Sequence, residues 1–267
     1  MQKEVLKIYR HKVQYYETDQ MGIVHHSNYI RWFEEARTDI LEQIGMGYDV
    51  MEQKGVIIRT YGGIKLASEP LVNHSGSSAA LLHPDEKQRI ALYAASFVNS
   101  GDIIYIDNGT TMQCFASVLA RRIQEGELQH IQVYTNALPI LQILTDVCDV
   151  NVIGGFYRST RRDFSGYLTE MFLKTITFPK SFLGTDAISL DPAEGLMTID
   201  PFTAKIQEML AKRSTKMFLL ADSSKFHRRS FVRYASPQDA YRIITDTGLD
   251  EKTCQAFLDQ NVRLELV

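Results

Sequence analysis

The run GDIIYIDNGTT, from Gly101 to Thr111, decides the fold of the second half of the chain. Its apolar segment 103–106 predicts a short buried strand, and its polar segment 107–111 predicts a turn that opens a helix. Free backbone N–H groups and the positive end of the helix dipole lie at such a helix start, where they suit an anion such as phosphate. An ordinary strand-to-helix connection, capped by Asp or Thr, is the alternative.

A second run, ADSSKF from Ala221 to Phe226, follows another apolar segment near the end of the chain. Its lysine, Lys225, comes just after a predicted strand and would supply the counter-charge for an anion at the helix start. The alternative is a surface lysine paired with Asp222, an interaction that contributes little in solvent.

Short apolar segments and helical segments alternate from residue 100 onward. The apolar segments are 103–106, 131–134, 150–153 and 217–221, and the helical ones are 111–123, 137–146, 165–174 and 201–213. This alternation predicts an α/β fold with a doubly wound parallel sheet, whose strands are buried on both faces. Ligands of such sheets bind beyond the carboxyl ends of the strands.

Polar residues and glycines follow these predicted strands, so we expect them to meet at one edge of the sheet. They form a candidate binding site for an anionic ligand: Asp107, Gly109, Thr110, Thr111, Asn136, Gly154, Gly155 and Lys225. The carboxylate of Asp107 would accept from a ligand hydroxyl or cap the next helix. Gly109, at positive φ, would let the backbone approach a phosphate. Asn136 would bind a hydroxyl or form an Asx turn, and the Gly154–Gly155 pair alone indicates only a turn.

An arginine-rich run follows the glycine pair. It contains Arg158, Arg161 and Arg162 and is either a second phosphate-facing patch or a solvated loop, of which we favour the loop.

Composition sets wide bounds on function. The chain has 267 residues, 45% hydrophobic and 23% charged residues, and a net charge of −3, which argues against a protein that coats nucleic acid. Its three cysteines are too far apart for a zinc motif or a disulfide framework, so we expect a cytoplasmic protein. We find no signal peptide and no membrane span, and we expect no metal and no cofactor.

From residue 56 onward, the order of motifs resembles that of the DeoR family of bacterial sugar-responsive transcriptional repressors. The matching runs are GVIIRTYGGIKL, EKQRIALYAASFV, GDIIYIDNGTT, VYTNALPI, VIGGFYR, SFLGTDAISLDPAEGLMT and LLADSSKF. The resemblance implies a Rossmann-like parallel sheet of the sugar-phosphate isomerase type, with a phosphorylated sugar or related metabolite as effector. It adds Gly195 and Thr198 to the expected effector contacts, whereas Met197 stands where the family usually has threonine.

The first 55 residues resemble the start of the hot-dog-fold acyl-CoA thioesterases of the 4-hydroxybenzoyl-CoA type. The run that carries this resemblance is QYYETDQMGIVHHSNYIRWFEEAR, residues 14–37. It implies that Asp19 is a catalytic nucleophile or general base, with His25 and His26 beside it. Loose alternation predicts a strand over 4–17, and apolar residues three and four apart predict an amphipathic helix over 29–44. We find no further strands of that fold in the sequence, so we favour Asp19 as a turn residue.

Three segments follow from these two resemblances. Residues 1–55 are a truncated hot-dog thioesterase-like segment, 56–84 a connector left from a winged-helix wing, and 85–267 a DeoR-type effector-binding domain, as in a chimera. The first segment has seven Lys or Arg against nine Asp or Glu, a net charge of −2, so we expect weak DNA binding or none. A ligand-sensing module is the favoured function, with an acyl-CoA thioesterase and a sugar-phosphate isomerase-like enzyme as alternatives. We also expect a homo-oligomer.

Overall fold

The structure is a computed structural model, and it describes residues 10–18, 23–24, 26–43, 57–60, 63–66 and 82–267. The chain divides into two compact units, Met1–Asn73 and His74–Val267. None of the helices that the described residues form is long and apolar enough to cross a membrane.

The first unit contains the predicted amphipathic helix, α1, which spans His26–Gln43. It also contains an antiparallel pair of short strands, β1 (Ile57–Thr60) and β2 (Gly63–Leu66). The strand predicted over 4–17 is wrong for its described part, because residues 10–14 have no regular structure and Tyr15–Glu17 form a 3-10 helix. Asp19, His25 and residues 4–9 lie outside the described residues.

A buried carboxylate explains why the chain turns at residue 17 instead of continuing as a strand. Glu17 accepts hydrogen bonds from the backbone N–H of Gln14 (2.7 Å) and from the indole N–H of Trp32 (3.0 Å), and it is paired with His11 and Arg31. Burial raises the pKa of this carboxyl, but the hydrogen bonds outweigh burial and lower the pKa to about 2. The charge therefore ties helix α1 to the turn that precedes it.

The second unit is built on strands that we number in chain order: β3 (Ile103–Ile106), β4 (Gln132–Thr135), β5 (Asp149–Val152), β6 (Phe156–Arg158), β7 (Asp163–Ser165), β8 (Phe178–Leu183), β9 (Ala187–Ile188), β10 (Leu196–Thr198), β11 (Ser214–Leu220), β12 (Val232–Ala235), β13 (Arg242–Thr245) and β14 (Leu264–Leu266). Its helices are α2 (Pro84–Ala95), α3 (Thr110–Gln124), α4 (Leu138–Leu144), α5 (Tyr167–Leu173), α6 (Pro201–Arg213) and α7 (Glu251–Asp259).

A seven-stranded parallel sheet forms the centre of this unit, in the order β14-β13-β11-β8-β3-β4-β5. The predicted α/β fold is therefore confirmed. Strands β8, β13 and β14 were not predicted, nor were the hairpin β6–β7 and the antiparallel sheet β12-β10-β9. The prediction that all parallel strands are buried on both faces is wrong for β5, because it is an edge strand whose side chains are mostly exposed.

Two apolar clusters cover the two faces of the sheet, because successive side chains of a strand point to opposite sides. Ile104 and Ile106 belong to the cluster that includes helices α2, α3 and α4, whereas Tyr105, between them, belongs to the cluster with α6 and α7. Phe182 and Leu183 of β8 divide in the same way. Helices thus cover the sheet on both faces, and its strand ends are left to carry polar residues.

Candidate functional site

The predicted site residues after β3, β4, β5 and β11 all lie at the carboxyl edge of the sheet, because these strands are parallel. Strand β8 lies between β3 and β11, so Asp107 and Lys225 follow strands that are two steps apart, or roughly 10 Å at about 4.8 Å per step. The turn at Gly184, after β8, lies between them.

Asp107 is 2% exposed and is held by a residue that the sequence did not indicate. The amide of Gln207, on α6, donates to Asp107 Oδ2 at 2.7 Å and to the carbonyl of Gly184 at 3.0 Å. Burial raises the pKa of Asp107 to about 6, although the hydrogen bond from Gln207 and the nearby charge of Arg161 act in the opposite direction. Asp107 does not cap α3, so that alternative is wrong: the cap position is Gly109.

The start of α3 is open, as the anion-cradle prediction requires. Gly109 has φ of 130°, and a side chain at this position would meet nothing within 4 Å. No side chain caps the helix, and the first N–H groups of an α-helix have no partner within the helix. Thr110 and Thr111, the first two helical residues, are half-buried at the same place. The N–H groups of the first turn therefore lack a side-chain cap, whereas the N–H of Gly109, just before them, donates to Asn108 Oδ1 at 2.8 Å.

Lys225 ends a 3-10 helix, Ser223–Lys225, that follows β11. Two buried aspartates hold this short helix: Asp222 accepts from the N–H of Ser224 (3.1 Å), and Asp246 accepts from the N–H of Ser223 (2.7 Å). The alternative pairing of Lys225 with Asp222 is not found, and within the described part of the chain the ammonium of Lys225 has no ion pair. Its side chain is half-buried.

A second lysine at this edge, Lys87, was not predicted. It lies in the first turn of α2, is 4% exposed and donates to the carbonyl of Leu82. Burial lowers the pKa of Lys87; the charge of Asp222 raises this pKa, and the charge of Lys225 lowers it. A signal was present in the sequence: Lys87 stands three, four and seven residues before Ile90, Ala91 and Ala94, on the buried stripe of its helix.

Asn136 and the glycine pair are occupied by contacts within the protein. Asn136 accepts from the hydroxyl of Tyr105 (2.8 Å) and donates to the carbonyl of Phe164 (2.8 Å), which joins the ends of β3 and β4 to β7. A side chain on Gly155 would come within 2.2 Å of the Thr169 hydroxyl, whereas Gly154 has open space beside it. Gly155 therefore allows the hairpin to pack closely on α5.

Thr198 ends strand β10 of the antiparallel sheet formed by β9, β10 and β12, and Gly195 directly precedes this strand. Gly195 has φ of 62°, and a side chain there would meet the carbonyl oxygen of Ala235 at 2.4 Å. The hydroxyl of Thr198 donates to Asp186 at 2.9 Å. Tyr234 of β12 donates to Gly184 at 3.3 Å and so connects this sheet to the carboxyl edge of the central one.

The prediction of a solvated loop is wrong for Arg158, which lies on β6 with its side chain 11% exposed. Arg158 makes paired hydrogen bonds to Asp163 (both 2.8 Å) and contacts Asp200 at 2.7 Å, and these bonds raise its pKa against the opposing effect of burial. Asn108, in the turn after β3, donates to Asp163 (3.2 Å) and to the carbonyl of Arg161 (2.8 Å). The run therefore holds the turn that precedes α3. Arg162 is exposed, as predicted for a loop.

Comparison with protein families matches residues 82–247 to the DeoR C terminal sensor domain, which is more than half of the chain. The chain belongs to the DeoR family. Residues 13–64 match the thioesterase-like superfamily, so both resemblances found in the sequence are confirmed.

Known regulators are similar to this DeoR-family chain over most of its length. The lactose phosphotransferase system repressor of Lactococcus lactis is 31% identical over 212 residues, 78% of this chain and 80% of the repressor. The HTH-type transcriptional regulator IolR of Bacillus subtilis is 27% identical over 222 residues, 81% of this chain and 83% of that protein. Among solved structures, ribose 5-phosphate isomerase A of Methanocaldococcus jannaschii aligns over 54% of each chain, with 18% identity and a TM-score of 0.39.

Proposed function

We propose that residues 85–267 bind a phosphorylated sugar or a related small anionic metabolite, and that the chain is the ligand-sensing module of a DeoR-type transcriptional regulator. One observation carries the proposal: the uncapped start of α3 and Lys225, which has no ion pair within the described part of the chain, both follow strands at the carboxyl edge of the sheet. The family match and the name of the lactose phosphotransferase system repressor support the sugar part of the proposal.

The anion fits because it removes an electrostatic cost. Burial and the charge of Lys225 disfavour the charged form of Lys87, whereas the carboxylate of Asp222 favours it, and the net effect is a lowered pKa. A phosphate between the two lysines would stabilise both charges and would also accept from the backbone N–H groups at the start of α3. In this arrangement Thr110 and Thr111 add hydroxyl donors. Asp107 and Asn136 keep the ends of β3 and β4 in position through their hydrogen bonds to Gln207, Tyr105 and Phe164.

A thermal-shift panel tests the class of ligand, because a ligand that binds only the native state raises the unfolding temperature. The panel pairs each sugar phosphate with its unphosphorylated sugar and includes inorganic phosphate and an acyl-CoA. We expect stabilisation by at least one sugar phosphate and none by its matched sugar. Equal shifts with both members of a pair would contradict recognition of the phosphate. Stabilisation by acyl-CoA alone would favour the thioesterase alternative.

We also propose that this chain binds DNA weakly or not at all, and that it is a cytoplasmic protein. The support for weak DNA binding is the charge of residues 1–55, where nine acidic residues outnumber seven basic ones. A gel shift at physiological salt should show no preference for duplexes from regulated promoters over random duplexes. A tight and sequence-selective shift would contradict this part of the proposal.

A further inference from the structure

The side chain of Arg161 carries donors that the second unit does not use. Arg161 lies in the turn between β6 and β7, and its side chain is 34% exposed. Its Nε atom is buried and has no hydrogen-bond partner among the residues that the structure describes. The carboxylate of Asp163 is 3.8 Å from this nitrogen, which is beyond hydrogen-bond length. Because a buried donor without a partner costs free energy, an acceptor supplied by a ligand would be stabilising.

The carboxylates around Arg161 are already held by other donors. Arg158 donates to both oxygens of Asp163, at 2.8 Å each, and Asn108 donates to one of them at 3.2 Å. Arg158 also donates to Asp200, at 2.7 and 2.8 Å. The planar guanidinium of Arg158 therefore satisfies the two aspartates, and the donors of Arg161 remain for another acceptor.

Arg161 lies at the same edge of the sheet as the start of α3. The amide of Asn108, in the turn between β3 and α3, donates to the carbonyl of Arg161 at 2.8 Å. The N–H of Leu138, at the start of α4, donates to the carbonyl of Arg162 at 2.9 Å. The turn that carries Arg161 is thus bonded to the segments that follow β3 and β4. Lys225 follows β11, which lies on the opposite side of β3 from β4.

We propose that Arg161 is a specificity-determining residue of the effector site, and that it binds a second anionic group, a carboxylate or a phosphate, of a phosphorylated sugar. A guanidinium presents its N–H donors in a fork that matches the two oxygens of such a group. In this arrangement the start of α3 and Lys225 bind the phosphate, and Arg161 binds the second group on the β4 side. The inference rests on the proposed function, because it places the effector at this edge of the sheet.

A purely structural role for Arg161 would act through Asp107. Burial raises the pKa of Asp107, and the charge of Arg161 lowers it. A variant that acts only through Asp107 would change the affinity for every effector alike. A variant that loses a contact with the second anionic group would lose affinity only for ligands that carry this group. The preference between two matched ligands therefore separates the two roles.

Calorimetric titration of the full chain with two pairs of probes tests the inference. The members of each pair differ by one anionic group: glucose 6-phosphate against 6-phosphogluconate, and fructose 6-phosphate against fructose 1,6-bisphosphate. In at least one pair, we expect the parent to bind the probe with two anionic groups roughly 10- to 100-fold more tightly, the scale of a charge-assisted hydrogen bond. Arg161→Gln should lose this preference and bind the monophosphate like the parent. Arg162→Gln, the same change at the exposed neighbour, should keep the preference.

The outcomes separate this inference from the proposed function. If Arg161→Gln keeps the preference, or loses affinity equally for both members of a pair, the inference is overturned and the proposed function stands. The same holds if the parent binds the monophosphates and gains nothing from a second anionic group. A parent that binds none of the four probes would contradict the proposed function together with the inference.

Modification of the parent with phenylglyoxal, which reacts with accessible guanidinium groups, tests the inference even if Arg161→Gln fails to fold. Fragmentation of the modified peptide in a mass spectrometer distinguishes Arg161 from Arg162. We expect the probe with two anionic groups to protect Arg161 but not Arg162, and its monophosphate counterpart to protect Arg161 much less. Modification of Arg161 at the same rate with and without the bound probe would overturn the inference.

Discussion

Replacing Asp107 by Asn should stabilise the second unit at neutral pH. Asp107 is buried, and its pKa is about 6 instead of the ordinary 3.8, so its ionised form is disfavoured in the folded protein. Between these two pH values the unfolded chain has lost the proton that the folded chain keeps. Stability from this group is therefore greatest below pH 4 and falls as pH rises toward 6.

The size of the effect follows from the difference between the two pKa values. A shift of about two units corresponds to about 3 kcal/mol, since each unit is about 1.4 kcal/mol. Asn removes the charge but keeps a side-chain oxygen that can accept from Gln207. We therefore expect Asp107→Asn to match the parent near pH 4 and to gain up to about 3 kcal/mol of unfolding free energy above pH 7.

Urea unfolding followed by far-ultraviolet circular dichroism, at intervals from pH 4 to pH 8, measures this difference. Asp149→Asn is the control, because it removes the same formal charge from an exposed position on β5. The reasoning requires a gain for Asp107→Asn that grows between pH 4 and pH 6, and no such growth for the control. A variant that is less stable than the parent at pH 7.5 would refute it. A buried carboxylate that lowers the unfolding free energy at neutral pH, as Asp107 does here, is typical of functional sites.

Three further predictions follow from particular contacts. Gly155→Ala should lower the unfolding free energy by about 1–3 kcal/mol, because the new methyl group would overlap Thr169 and the carbonyl of Ser165. Gly154→Ala, where the added methyl group has open space, should lower the unfolding free energy much less, and equal losses in the two variants would contradict the packing argument. The fluorescence of Trp32, the only tryptophan, should report loss of the Glu17 contact as pH falls from about 4.5 toward 2, and Glu17→Gln should abolish that transition. Acyl-CoA hydrolysis by the full chain should stay at the background rate and be unaffected by Asp19→Asn; turnover lost in that variant would establish a thioesterase.

The alternation of apolar and helical segments was sufficient to predict the sheet and its polar edge. Helix α6 has the predicted bounds, and α3 differs from its prediction by one residue at each end. Strand β8 was missed although it lies at the centre of the sheet, because Pro179 argues against a central strand. The ladder tolerates this proline because the hydrogen-bonded pairing with β3 begins only at Lys180.

The partners of the site residues depend on long-range packing, which the sequence does not display. Gln207 reaches Asp107 across 100 positions, and Arg158 reaches Asp200 across 42. Local rules for charge runs therefore assigned the arginines to solvent, whereas tertiary contacts bury Arg158 between two carboxylates. The burial of Lys87 could have been predicted from helical periodicity, because Lys87 lies on the same side of α2 as its buried apolar residues.

Calorimetric titration of the Lys225→Ala variant tests the central claim most directly. The titrant is the sugar phosphate that gives the largest thermal shift, and Lys252→Ala, an exposed lysine on α7, is the matched control. A charge-assisted hydrogen bond is worth about 1.5–3 kcal/mol, so Lys225→Ala should bind roughly 10- to 150-fold more weakly than the parent, and Lys252→Ala should bind like the parent. Unchanged affinity in Lys225→Ala would contradict an anion site at this edge of the sheet.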